Sequence, residues 1–146
     1  MLMSPPSTTD ILNRLLVLHE RSLPMYLSYA PPADLAKSEK AGAVLQQIVE
    51  DQRRTIDRLA TIVLDAGGTI DHGEFPLSFT SLHDLSLKYL LKLLIDRQQK
   101  LIAVCGKFAD ELSLAPFAQA AAREAVGEAK GHLENLQELQ AAQASH

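Results

Sequence analysis

The stretch AGAVLQQIVEDQRRTIDRLATIVLDA, residues 41–66, decides the fold. Ala41, Leu45, Ile48, Gln52, Thr55, Leu59, Ile62 and Ala66 recur in it at alternating steps of four and three. That spacing keeps one seam of an α-helix turned toward its neighbours, as in packed helical bundles. A half-buried strand would alternate with period two, and no segment of this chain sustains that beyond a few residues. Gly67-Gly68 follows at once and reads as a helix C-cap.

The same seam returns at Leu87, Leu91, Leu94, Gln98, Leu101, Cys105, Phe108 and Leu112. In both long seams the fourth of eight positions is glutamine. An earlier segment carries Leu12, Leu15, His19, Ser22 and Tyr26 on one face, and the last carries Ala118, Ala122, Ala125, Ala129, His132, Leu136 and Leu139. Glu128 lies on the edge of that last face, one turn before His132. In an antiparallel set of helices the midpoints meet at one height. The pattern therefore predicts a buried polar layer of His19, Gln52, Gln98, Glu128 and His132. A buried polar group without a partner costs about 1–3 kcal/mol, so these side chains are expected to satisfy one another.

Outward from the seams, punctuation divides one domain into four helical segments, 7–30, 33–66, 81–112 and 116–140. Ser7 with Asp10, and Ser81 with Asp84, give weak capping patterns, and Pro116 suits a first helical position. Pro24 lacks the amide hydrogen that would bond the Glu20 carbonyl, which predicts a kink there and a free carbonyl beside His19. The closing AAQASH is expected to fray. Short links at 31–35 and 113–116 make the first and second helices, and the third and fourth, antiparallel neighbours. The middle link, GGTIDHGEFPLSFTS, is too long for a simple turn. A helix of about 30 residues measures roughly 45 Å and about fifteen extended residues reach roughly 50 Å. Residues 67–80 can thus form a crossover that leaves the second and third helices parallel. Phe75, Leu77 and Phe79 alternate with small or polar residues, as an extended segment laid along the helices would.

Composition narrows the function. The 146 residues are 47% apolar and 22% charged, a globular balance. The net charge of −4 comes from 14 scattered basic and 18 acidic side chains, which argues against a nucleic-acid partner. Cys105 is the only cysteine, so no internal disulfide forms, and its place in a seam predicts a buried, inert thiol. MLMSPPSTTD lacks the basic start and apolar core of a signal peptide, and no apolar run reaches the roughly 18 residues of a membrane span. A soluble cytoplasmic protein is expected. There is no G-x-S-x-G, Walker loop or G-x-G-x-x-G. DHGE, residues 71–74, with His83 and Asp84 nearby, holds ligand-type side chains but reads as turn chemistry. Glu50, Arg53, Arg54 and Asp57 read as an exposed helix face. The alanine-rich stretch AQAAAREAVGEAKG and an apolar patch beside FPLSF point to a homodimer.

Four helices, a long middle crossover and a polar layer at mid-height resemble the ferritin-like superfamily. The resemblance covers nearly the whole chain and is architectural. It implies a di-metal site with a glutamate from each of the first and third helices and a Glu-x-x-His from each of the second and fourth. At the matching places this chain has His19, with Glu20 toward the flank; Gln52 with Thr55, or Asp51 with Arg54; Gln98; and Glu128, followed by Gly131 where the histidine would stand and by His132 one residue later. A glutamine amide is a weak, uncharged ligand for Fe or Mn, so two glutamines remove charge that a pair of ions needs.

Two functions follow. In one, the layer is a hydrogen-bonded network without a cofactor, and the protein is a structural or protein-interaction module, not an enzyme. In the other, a single divalent ion (Fe, Mn or Zn) binds His19, Glu128 and His132, with Glu20 or Asp51 as further ligands. The resemblance then implies oxidase-like or stress-related activity. A third reading is a helical interaction domain whose likeness to ferritins is only geometric.

Overall fold

The computed structural model describes residues 7–144. Among them are six α-helices, one 3₁₀ turn and no strand: α1 (Thr8–Glu20), α2 (Leu23–Tyr29), α3 (Ala33–Ala36), α4 (Glu39–Asp65), the 3₁₀ turn (Leu77–Ser81), α5 (Leu87–Glu111) and α6 (Pro116–Ala144). Residues 1–6, and Ser145 and His146, lie outside the described residues.

Serine hydroxyls start four of these helices. Ser7 and Asp10 form a reciprocal capping box at α1. Ser22, Ser38 and Ser86 each accept a bond from the amide three residues on, at Met25, Ala41 and Tyr89. At the end of α4, Gly67 adopts φ +76, its amide bonds the Leu64 carbonyl, and the Gly68 amide bonds the Val63 carbonyl. This is a Schellman stop, open to glycine because an L side chain is strained at that φ.

Several boundaries differ from the sequence expectation, each for a local reason. The first helix does not run through 7–30 with a kink at Pro24; it breaks two residues earlier, at Arg21 and Ser22. Ser22 is extended and caps α2, which puts Pro24 in the first turn of a new helix, where its missing amide costs nothing. Residues 33–66 likewise divide at Lys37, because Ser38 opens α4 as a fresh cap. Ser81 ends the 3₁₀ turn and starts no α-helix; α5 begins at Leu87, behind the Ser86 cap. The Asp34 carboxylate accepts the Leu87 amide and ties α3 to that start. The helix expected to end at 140 continues to Ala144. In the link between α4 and α5, Phe79 is buried but Leu77 is 87% exposed, so the three alternating apolar residues do not share one face. At the end of α4 the seam turns onto Val63, leaving Ile62 half-buried and Ala66 exposed.

Most buried apolar residues fall into two clusters without a common residue. The first joins α1 (Ile11, Leu12, Leu15, Leu16), the C-terminal halves of α4 and α5 (Leu59, Val63, Leu101, Cys105, Ala109) and the N-terminal half of α6. The second joins α2 and α3 (Leu23, Leu27, Leu35), the N-terminal halves of α4 and α5 (Ala41, Leu45, Ile48, Leu87, Leu91, Leu94), Phe79, Leu82, and Leu136 and Leu139 of α6. The link after α4 touches both: Ile70 packs on the first cluster and Phe75 on the second. The most extensive helix pairings are α5 with α6, α1 with α4, and α4 with α6. No helix among the described residues is long and apolar enough to cross a membrane.

Candidate functional site

Between the two clusters lies a polar layer. His19 closes α1 and is buried. Gln52 and Thr55 come from the middle of α4, Gln98 from the middle of α5, and Glu128 and His132 from α6. All of them line one void of about 10 Å³. The five side chains expected to meet at mid-height are therefore together.

The bonds within the layer are specific. His19 Nδ1 stands 2.7 Å from the Leu15 carbonyl, so the proton sits on Nδ1 and Nε2 keeps its lone pair. Ser22 Oγ donates to Gln52 Oε1 at 2.7 Å, so the residue that caps α2 also enters the layer. Gln98 Nε2 donates to the Ala129 carbonyl at 3.1 Å. Thr55 Oγ1 donates to Glu128 Oε2 at 3.3 Å. Among the described residues two buried nitrogens, Gln52 Nε2 and His132 Nε2, have no hydrogen-bond partner. His132 Nε2 does come within 3.1 Å of Asp51 Oδ2, an ion-pair distance without hydrogen-bond alignment.

Asp51, one of the two further ligands the sequence offered, does reach the site. It is buried, accepts from Gln47 Nε2 at 3.0 Å and from Arg54, and places its second oxygen against His132. The i,i+3 spacing of Asp51 and Arg54 was visible in the sequence. Nothing in sequence spacing reports that α6 brings His132 beside them. Glu20 goes elsewhere: its carboxylate pairs with His72 Nδ1 at 3.0 Å, against the link. His19, Glu20, Asp51, Glu128 and His132 thus do not form one ligand set. Among the described residues no group of three or more His, Cys, Asp or Glu side chains is arranged to hold a metal ion.

Burial sets the protonation states. His19 has its pKa held below the ordinary histidine value of 6.5, first by burial and then by the proximity of His132, against the opposing Leu15 hydrogen bond. His132 is also lowered by burial, which outweighs the Asp51 carboxylate; Arg54 adds to the lowering. Glu128 is raised by burial and by the Asp51 and Glu124 charges, with Thr55 and Arg54 opposing. At neutral pH both imidazoles are neutral, so the layer is built of neutral donors and acceptors beside two carboxyl groups.

The remaining candidates resolve as local chemistry. Asp71 Oδ1 accepts the Gly73 amide, a turn in which Gly73 takes φ +58. Asn13 accepts the Asp71 amide and donates to the Thr69 carbonyl, so DHGE belongs to a loop stitched onto α1. His83 lies 3.4 Å from the Tyr26 hydroxyl. Cys105 is fully buried and its thiol is pushed up to about 12, which leaves it without a thiolate at neutral pH. No protein-family model, no curated protein and no solved structure matches the chain.

Proposed function

We propose that the chain is a diverged ferritin-like four-helix bundle whose di-metal chemistry has been replaced by an internal hydrogen-bonded layer, and that it acts as a structural or protein-interaction module. What supports the bundle is the composition of the two clusters. The C-terminal ends of α4 and α5 share the first and their N-terminal ends share the second, as they would if residues 66–86 cross the length of the molecule and leave α4 parallel to α5.

One observation carries the non-enzymatic function. The void enclosed by the layer is about 10 Å³, enough for a single water and not for a substrate. The ligand chemistry agrees. A pair of ions needs several free carboxylates, whereas here two positions are glutamine, Asp51 is engaged by Arg54 and Gln47, and Glu20 by His72.

Elemental analysis of protein purified without a chelating column tests this, with light scattering on the same sample. The expected results are less than stoichiometric Fe, Mn or Zn, a melting temperature indifferent to EDTA, and a dimer in solution. Stoichiometric metal that disappears in the His19→Ala, Glu128→Ala double variant would overturn it in favour of a single-ion site.

A further inference from the structure

The break between α1 and α2 forms one wall of a cleft of about 260 Å³ on the outer side of the polar layer. Its apolar surface comes from Val17, Leu18, Leu23 and Pro24 on one side and Leu101 and Val104 of α5 on the other. Ser22 and Gln98 are shared between the cleft and the polar layer.

Charge at the cleft runs against the molecule as a whole. The chain carries −4, yet among the described residues Arg21, Arg97 and Lys100 line this cleft with Glu74 as the only acid. Two of the cations are held by aromatic rings: the Arg21 guanidinium lies 4.8 Å from the Phe75 ring centre and that of Arg97 4.6 Å from Phe79. Among the described residues neither guanidinium has a carboxylate partner, while Lys100 pairs with Asp96 at 3.1 Å. An apolar trough with fixed, uncompensated cations at its rim suits a ligand with a hydrocarbon body and an anionic head. The volume is below the roughly 300–1,000 Å³ of drug-sized sites, which selects a short molecule.

We infer that this cleft binds a free medium-chain carboxylic acid, with its chain against Leu18, Leu23, Leu101 and Val104 and its carboxylate between Arg21 and Arg97. The inference is independent of the layer's role, because a metal in the layer would leave the cleft walls unchanged.

Calorimetric titration of the full chain with octanoate tests it. One saturable site per chain is expected, with 1-octanol binding at least about tenfold more weakly because it lacks the charge. Arg97→Gln is expected to weaken octanoate about tenfold, and Val104→Asp to abolish binding by placing a negative charge in the trough. Lys92→Gln, on the same helix but outside the cleft, is expected to leave affinity unchanged. All three positions are solvent-accessible, and melting curves confirm that each variant folds. Equal binding of octanol and octanoate, or unchanged affinity in Arg97→Gln, would overturn the proposal. So would binding to phosphatidylglycerol vesicles without binding to octanoate.

Discussion

His132 Nε2 stands 3.1 Å from Asp51 Oδ2 without the alignment of a hydrogen bond. A neutral imidazole and a carboxylate are thus held at contact, with the imidazole kept uncharged mainly by burial.

Stability is expected to fall on acidification below pH 6.5. His19 and His132 both have folded pKa values below the ordinary histidine value of 6.5, so between the two values the unfolded chain binds more protons. Each full proton of difference changes stability by about 1.4 kcal/mol per pH unit. Glu128, raised in the fold, acts oppositely: its contribution is complete below 4.5 and is lost as pH rises through its folded value. Melting temperatures measured from pH 8 to pH 5 check the balance. His19→Leu should flatten the curve, since it removes the more deeply buried imidazole.

Asp51→Asn is expected to lower two pKa values at once. The carboxylate raises His132 and also raises Glu128, so removing its charge shifts both downward. A merely structural loss would not move the two in this coupled way. NMR titration of the His132 ring and the Glu128 carboxyl carbon reads both.

Ser22→Ala is expected to cost about 1–3 kcal/mol, more than an ordinary cap deletion. The hydroxyl caps α2 through the Met25 amide and supplies the donor to Gln52, whose other amide end already lacks a partner. Urea midpoints of the variant and of Ser22→Thr, which keeps the hydroxyl, separate the lost bond from a change of shape.

Two glycine substitutions should have opposite signs. At Gly73, φ is +58 and an added Cβ would meet Val17 Cγ1 at 2.6 Å, so Gly73→Ala should destabilise. At Gly42 an added Cβ meets nothing within 4 Å in a helical turn, so Gly42→Ala should stabilise by about 0.5–1 kcal/mol. Thermal melts of the two variants side by side check the contrast.

The polar layer was legible because helical periodicity places residues on faces, and faces of antiparallel helices meet at predictable heights. His19, Gln52, Gln98, Glu128 and His132 line a single void for that reason. The break at Ser22 was harder to read. Ser-x-Pro is the signature of a new helix start, but the apolar run across it has the period of a continuous helix, and periodicity alone cannot separate a break from a kink. The pairing of Asp51 with His132 was read only as one of two options, since Asp51 and Glu20 stood equally as further ligands beside His132 and spacing could not choose between them. It depends on the rotation of α6 against α4, which side-chain packing sets and sequence spacing does not report. Leu77 shows the same limit in the link, where alternation implied a shared face that the 3₁₀ turn removes.

Because the two apolar clusters share no residue and are parted by a polar slab, each end of the molecule can be redesigned on its own terms. A volume change at Val63 falls within the first cluster and one at Leu91 within the second, so the two are expected to add independently. Such a partition means that one pole can be repacked while the opposite pole still holds the chain together.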